Sequence, residues 1–331
     1  MIRLEKCYVD LHAHIDGSIT PEIAIQLAKG QSILIQSDKE ELRKIMSVPK
    51  TCGNLNDFLK CFEFPLTLLQ SKEGLSEAVR LILENMKKDK VIYSELRFAP
   101  QLHQRRGMTQ EDAVKAALSG LKKSEIPANL ILCLMRGNDN EEENSETLNL
   151  AEKYLVDDGG VTAIDLAGAE GIYPTENFKE IFNRARKRKI PFTIHAGEAD
   201  GPESVRSAID MGALRVGHGI SAYKDEELMK EIEDRGIFME MCPTSNFITG
   251  SVKNAKSYPA RTFIDKGIKV TVNTDDMAII GTTNSQEFEC FAKLANLNSD
   301  EQKQVLLDSA DAAFTTSKTK NILKEQINRH F

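Results

Sequence analysis

The sequence predicts an α/β fold of the (β/α)₈ barrel type, in which eight parallel strands alternate with helices. Eight short runs rich in Val, Ile, Phe and Tyr recur along the 331 residues, and several are nearly continuously apolar, as strands buried on both faces should be. The segments between these runs are helical in pattern. Polar motifs follow six of the eight runs. Because catalytic groups of such barrels lie at the C-terminal ends of the strands, this placement favours a barrel over an open doubly wound sheet.

The predicted strands alternate with helices along the whole chain. The strands are 7–11, 91–97, 129–134, 161–166, 191–194, 214–217, 236–241 and 269–273. Among the connecting segments, 178–189 follows a Pro-Thr-Glu start, and 225–235 is charged outside and apolar at Leu228 and Ile232. This alternation predicts one TIM barrel domain over residues 1–331.

The interval between the first two strands is far longer than a simple crossover. We expect a helical insertion at about 18–90, in which Leu55, Phe58, Leu59 and Phe62 recur at i, i+3, i+4 and i+7 as one apolar helix stripe. One interpretation is ordinary core packing. The other is a helical lid over the barrel mouth that supplies an apolar wall to a bound substrate, and the two are compatible.

Composition and charge limit the classes of partner. The net charge of −7 and pI near 5.6 argue against nucleic acid, since a surface that neutralises phosphates needs a basic face. No window approaches the ~20 apolar residues of a membrane span. The six cysteines show no CxxC spacing, and the charged first ten residues do not fit a secretory leader. The sequence therefore predicts a cytoplasmic protein with reduced thiols, and it leaves the oligomeric state open.

Four short motifs at strand ends predict a metal site. They are DLHAHIDG (10–17), TIHAGEA (193–199), RVGHGI (215–220) and TVNTDD (271–276). His12 and His14 are two apart on an extended run, so both imidazoles point to the same side. His195 and Asp275 complete a set of three nitrogens and a carboxylate. Zn²⁺, one per chain, suits that set and keeps an open position for water, although Fe²⁺ or Co²⁺ could occupy it.

Two further groups beside these motifs can move protons. A bound divalent metal lowers the pKa of its water from 15.7 to about 7, so the nucleophile needs no Ser or Cys. Glu198 lies three residues after His195 on the strand-to-helix turn, where Gly197 permits an unusual backbone. His218 ends the next strand between two glycines. We expect such groups to act as a proton donor to the substrate and as an orienter of the hydroxide.

The sequence resembles the adenosine deaminase family of metal-dependent aminohydrolases over nearly its whole length. The motifs HAHIDGSI, NLNDFLKCF, SELRFAP, IDLAGAE, TIHAGEA, RVGHGI, MCPTSN and NTDD occur in the family's order. The HxE…PCxxC signature of the cytidine-type zinc deaminases is absent from the sequence. The resemblance implies a zinc enzyme that deaminates adenosine and 2′-deoxyadenosine to inosine and ammonia in purine nucleoside metabolism or salvage. Its partner would be a small purine nucleoside.

The resemblance also implies a role for each residue of the metal site. His12, His14, His195 and Asp275 would bind zinc. Glu198, in its protonated form, would give a proton to N1 of the purine and make C6 electrophilic. His218 would hold the metal-bound water and help to deprotonate it. Charge that develops on the ring would then be stabilised by Glu198 and the zinc.

Substrate contacts are implied in the same way. Asp276 would accept a hydrogen bond at N7, and Gly168 would donate its N–H toward N3. Asp16, with help from His14, would hold the ribose 5′-hydroxyl. The apolar stripe of the insertion matches the family's lid over the ribose.

Residue 16 helps to choose among the sub-families. Adenine deaminases of this fold tend to carry Glu at the position of Asp16, and the N⁶-methyl-AMP deaminase-like branch tends to carry Asn. AMP deaminases lack the HxHxDG form. An Asp acceptor suits a 5′-hydroxyl and repels a 5′-phosphate, which favours adenosine and 2′-deoxyadenosine.

Two positions depart from the family pattern. Ala169 stands where an acidic residue is usual, which removes a carboxylate beside Gly168. Met277 stands where Pro is usual, and we expect this change to loosen the backbone after Asp276.

Three alternatives stay open at this point. The chain could deaminate another 6-substituted or modified purine nucleoside, which Ala169 and Met277 could permit. It could be a non-catalytic nucleoside-binding relative, although such a protein has no need of a proton donor at Glu198. A zinc phosphoesterase would be expected to need further His or Asp ligands, and the chain has six histidines in all.

Overall fold

Eight parallel strands close into a barrel in this structure, a computed structural model that describes residues 6–48 and 61–331. The strands are β1 Tyr8–His14, β2 Val91–Phe98, β3 Ala128–Met135, β4 Val161–Ala167, β5 Thr193–Ala196, β6 Arg215–His218, β7 Phe238–Met241 and β8 Val270–Val272. They pair in sequence order as two four-stranded sheets. Parallel bridges from Ile164 to Phe192 and from Ala13 to Asp275 join the two sheets. The predicted (β/α)₈ barrel is confirmed.

Each predicted run overlaps one strand, and the largest displacement of a strand end is at the C-terminal end of β1. The apolar run ends at Leu11, but the strand continues through His14 because its backbone finds partners on both sides. His14 N donates to Asp275 O at 2.9 Å, and Asp275 N donates to His12 O at 2.7 Å. The seam between the first and last strands therefore runs through the predicted metal site.

Helices cover the outside of the barrel. They are α1 Pro21–Gly30, α2 Lys39–Met46, α3 Glu63–Leu68, α4 Lys72–Lys88, α5 Gln110–Leu121, α6 Glu141–Tyr154, α7 Lys179–Lys187, α8 Pro202–Met211, α9 Glu226–Arg235, α10 Pro243–Ile248, α11 Ala260–Asp265, α12 Met277–Ile280, α13 Asn284–Leu294, α14 Ser299–Ala312 and α15 Ser317–Arg329. Helix α9 matches its sequence signals. The Asp225 side chain caps it by accepting from Leu228 N, Leu228 and Ile232 are buried, and Gly236 ends it at φ 65°.

The insertion between β1 and β2 is helical in its described part, which contains α1 to α4. Val48 N donates to Ile279 O at 2.9 Å, so the insertion reaches the short helix α12 that follows β8. Leu55, Phe58 and Leu59 of the predicted lid stripe lie outside the described residues, and the half-buried Phe62 directly precedes α3. The lid therefore stays a prediction. In residues 6–48 and 61–331, no helix is long and apolar enough to cross a membrane.

Candidate active site

Five titratable side chains meet at the C-terminal end of the barrel. His12, His195, His218 and Asp275 are buried, and each offers one ligand atom within 4.8 Å of the others. His12 Nε2 lies 3.3 Å from Asp275 Oδ1, and His218 Nε2 lies 3.9 Å from Asp275 Oδ2. His14 Nε2 lies 3.3 Å from His195 Nε2 and 3.5 Å from Asp275 Oδ1. All four residues predicted as ligands therefore lie together, with His218 beside them.

The protonation states of His14 and Asp275 fit a divalent metal. His12 Nε2 is buried and, among residues 6–48 and 61–331, makes no hydrogen bond; Asp275 Oδ1 lies 3.3 Å away, as expected of two atoms that ligate the same ion. Burial lowers the pKa of His14 well below 6.5, which keeps this imidazole neutral. Burial alone would raise the pKa of Asp275, but the surrounding histidines hold it well below 3.8. A neutral imidazole and an ionised carboxylate are donors that Zn²⁺ takes. Burial alone would lower the pKa of His12, but the carboxylates of Asp275 and Glu240 raise it, and a bound metal would displace the proton.

A carboxylate behind His12 fixes the orientation of its ring. Glu240 Oε2, on β7, lies 2.7 Å from His12 Nδ1, and Arg97 Nη2 donates to the same oxygen at 2.9 Å. Glu240 Oε1 accepts from Arg215 Nε at 2.6 Å and from Thr193 Oγ1 at 2.9 Å. With its Nδ1 facing this carboxylate, His12 presents Nε2 to the metal position.

Asp165 supports His195 in the same way. Its Oδ2 lies 2.8 Å from His195 Nδ1 and accepts from Arg97 Nη1 at 3.0 Å. Our sequence analysis assigned no role to Asp165, Glu240 or Arg97. The signal was present, because a charged residue inside a strand that is apolar on both sides has to be paired with another buried group. What the sequence could not reveal is which histidine each carboxylate faces.

His218 faces the cluster with its Nε2 atom. The Tyr258 hydroxyl donates to Asn246 Oδ1 at 3.3 Å, so the amide Nδ2 lies against His218 Nδ1 at 3.0 Å. Burial lowers the pKa of His218, and the neutral ring then carries its proton on Nε2, 3.5 Å from Glu198 Oε2. The backbone of His218 has φ 60°, a strained conformation of the kind that persists at functional sites.

Glu198 lies at the edge of the cluster, with its side chain 21% exposed. Its Oε2 points at His218, and its Oε1 accepts from Thr249 Oγ1 at 3.1 Å. Gly197 precedes it at φ 72°, as the sequence predicted for the unusual backbone of this turn. A carboxyl that is open to solvent on one side and close to the metal position on the other can exchange a proton with a bound molecule.

The predicted substrate-binding carboxyls Asp16 and Asp276 lie near Asp275, whose charge acts on the pKa of both. Asp276 is buried, and its Oδ1 atom has no hydrogen-bond partner in the part of the chain that the structure describes. Burial, reinforced by the charge of Asp275, raises the pKa of Asp276 well above 3.8. Burial also raises the pKa of Asp16 to about 6. Gly17 packs so tightly that a Cβ there would stand 1.9 Å from Asp276 Oδ1. Gly168, at φ 105°, is exposed.

The two departures from the family pattern have different surroundings. Ala169 is half-buried, and its carbonyl accepts from Ile172 N and Tyr173 N. Met277 is buried and begins α12, in which Ile280 N donates to Asp276 O at 3.0 Å. Pro is also suited to the first position of a helix, so this turn does not distinguish the two residues, and the expectation that Met277 loosens the backbone stays a prediction.

The whole chain is similar to known deaminases. A family model described as adenosine deaminase matches residues 7–330. A protein named adenosine deaminase from Haemophilus ducreyi is 47% identical over 330 residues, which is 98% of this chain and 96% of the relative. One of the same name from Enterococcus faecalis is 36% identical over 98% of this chain and 96% of its own length.

Solved structures share the fold. An adenine deaminase from Arthrobacter aurescens has a TM-score of 0.86 at 25% identity, over 98% of this chain and 99% of that one. An amidohydrolase from Burkholderia ambifaria, crystallised with bound zinc, has a TM-score of 0.85 at 22% identity, over 98% of this chain and 91% of that one.

Proposed function

The chain belongs to the adenosine deaminase family, and we propose that it catalyses the zinc-dependent hydrolytic deamination of adenosine and 2′-deoxyadenosine to inosine and ammonia. It is an aminohydrolase enzyme. The observation that carries the proposal is the approach of Glu198 Oε2 to within 3.5 Å of His218 Nε2, beside a buried set of metal donors. A non-catalytic binding protein would have no use for this pairing.

We assign one zinc ion per chain to His12, His14, His195 and Asp275. A divalent metal in that position brings the pKa of a coordinated water to about 7. The orphaned Nε2 atom of His12 and the carboxylates behind His12 and His195 support the assignment. Because His218 offers an atom to the same cluster, its separation from the ligand set is part of the proposal.

Glu198 and His218 have separate roles, one as the proton donor to the purine and the other as the group that holds the attacking water. Glu198 in its protonated form gives a proton to N1 of the purine, so that C6 becomes open to attack by water. His218, which carries its proton on Nε2, holds the attacking water by donating to its oxygen. This geometry supports the holding role expected of His218 more directly than a role as a base.

We propose that the nucleoside binds between Asp16 and Asp276. Asp16 accepts from the ribose 5′-hydroxyl, and Gly168 donates its N–H toward N3. The hydrogen bond expected between Asp276 and N7 has to run in the opposite direction, because N7 of the purine carries a lone pair and no hydrogen. Asp276 therefore donates to N7 in its protonated form, using the side chain whose Oδ1 lacks a partner in the described structure.

Ammonia release from a nucleoside panel, with metal analysis of the same sample, tests the proposal. Adenosine and 2′-deoxyadenosine should exceed adenine, 5′-AMP and N⁶-methylated nucleosides in kcat/KM, and zinc should be present at one per chain. A modified nucleoside that exceeds adenosine would move the proposal to the first of the alternatives. Absence of turnover in a zinc-loaded protein would favour a binding relative. The cytoplasmic location stays a prediction.

A further inference from the structure

Glu170 is a buried carboxylate that accepts hydrogen bonds from the backbone of the turn carrying Glu198. It lies three residues after β4 and is 4% exposed. Its Oε1 accepts from Gly197 N at 2.5 Å, and its Oε2 accepts from Glu198 N at 2.9 Å and from Ala199 N at 2.7 Å. Three successive N–H groups thus converge on one carboxylate, an arrangement that binds anions strongly.

The turn takes up this shape because of Gly197. Its φ of 72° aligns the three N–H groups, and a Cβ at this position would stand 2.4 Å from Val205 and 2.5 Å from Ser221. One of the three donors is the backbone N–H of Glu198 itself. The carboxylate of Glu170 therefore sets where the Cα of Glu198 lies and in which direction its side chain leaves.

A chain of hydrogen bonds through Arg136 connects Glu170 to the metal cluster. Ser204 Oγ donates to Glu170 Oε1 at 2.5 Å and lies 2.7 Å from Thr175 Oγ1. Arg136 Nη2 donates to Thr175 Oγ1 at 2.9 Å and to the carbonyl of His195 at 2.5 Å. One buried network thus connects the strand that presents His195 to the carboxylate that presents Glu198.

We propose that Glu170 is a positioning residue for proton transfer, which holds Glu198 at its distance from the bound substrate through the three N–H bonds. The proposal rests on the proposed role of Glu198 as proton donor. Glu170 itself points its carboxylate into the turn and accepts from four donors, so it acts on the reaction through Glu198.

The test is a double-mutant cycle between Glu170→Gln and Glu198→Gln. The amide keeps the size of the side chain but turns an NH₂ group toward backbone donors. We expect Glu170→Gln to lower kcat about 10-fold or more, with KM within about 3-fold and zinc content unchanged. In the Glu198→Gln background, adding Glu170→Gln should lower kcat by less than about 2-fold, because the carboxyl that Glu170 positions is already absent.

A general structural role would give a different result. In that case Glu170→Gln would lower kcat by the same factor with Glu198 or Gln at position 198, or it would change KM or zinc content. Either result would overturn the proposal. Ser204→Ala is the matched control, since it removes one donor to Glu170 but none of the three N–H bonds, and we expect a loss below about 3-fold. Glu170→Asp, which keeps the charge but shortens the reach, replaces the Gln variant in the cycle if that variant does not fold.

Amide hydrogen exchange tests the three N–H bonds to Glu170 without any substrate. Exchange at residues 197–199 should be faster in Glu170→Gln than in the wild type, while the amides of β5 stay equally protected. Unchanged exchange at 197–199 would overturn the proposal even in an active enzyme. A zinc-loaded wild type that releases no ammonia would instead contradict the proposed function, and the exchange result would remain interpretable.

Discussion

Replacing Glu240 by Gln should weaken both the barrel core and the metal site. Glu240 is fully buried between two arginines, with Arg97 at 2.9 Å and Arg215 at 2.6 Å, and it lies 2.7 Å from His12. Burial alone would raise the pKa of Glu240, but Arg97 and Arg215 hold it well below 4.5. Glu240→Gln keeps the volume of the side chain and removes the charge that these guanidinium groups need.

The magnitude follows from the partners that lose their counter-charge. Removing one member of a buried ion pair costs about 3–5 kcal/mol in the free energy of unfolding. An unfolding entropy of about 2.1 cal/mol/K per residue gives roughly 0.7 kcal/mol/K for 331 residues, so Tm of the metal-free protein should fall by about 4–7 °C. Zinc affinity should fall by about 10- to 100-fold, because the ring of His12 loses the carboxylate that orients it.

Two measurements on the same preparation check this prediction. Thermal unfolding of the metal-free protein gives the change in Tm, and competition with a chromophoric chelator gives zinc affinity. Thr193→Val is the matched control, because it removes a neutral donor from Glu240 and leaves every charge in place. We expect it to shift Tm by about 1–2 °C. A Glu240→Gln protein with wild-type Tm and wild-type zinc affinity would refute the reasoning.

Four further predictions concern the site itself. Glu198→Gln should keep near-stoichiometric zinc and lose at least ~10² in kcat for ammonia release, and lost zinc would show that its role is wrongly assigned. His12→Ala should lower zinc affinity and activity together while circular dichroism shows a folded barrel; a zinc-replete, active variant would contradict the metal site. Asp16→Ala should lower kcat/KM for adenosine by roughly 10- to 150-fold and barely change that for 5′-deoxyadenosine, whereas equal losses would make Asp16 structural. Gly17→Ala should lower kcat/KM for adenosine by up to ~10²-fold at unchanged zinc content, because its Cβ must displace Asp276, and wild-type kinetics would contradict that contact.

The sequence by itself determined the strand order and the placement of the chemistry. Its eight apolar runs correspond to the eight strands. A strand that is buried on both faces is apolar at nearly every position, so it stands out as a continuous apolar run in the sequence. Histidines and carboxylates that follow such runs must share one end of the barrel, whatever the helices between them do. The resemblance to the family then gave each of them a role, from Glu198 as proton donor to Asp16 at the ribose.

The tertiary structure decided which groups face one another. Asp165 lies inside β4, Glu240 lies inside β7 and Glu170 follows β4, and each finds its partner on another strand or turn. No periodicity in the sequence encodes such a pairing, because it depends on the register and shear with which the strands close. The helical turn at Met277 closes with local hydrogen bonds, but the hydrogen bond that it accepts from Val48 N is a tertiary outcome. Local pattern specifies the elements, and barrel closure brings their ends within bonding distance.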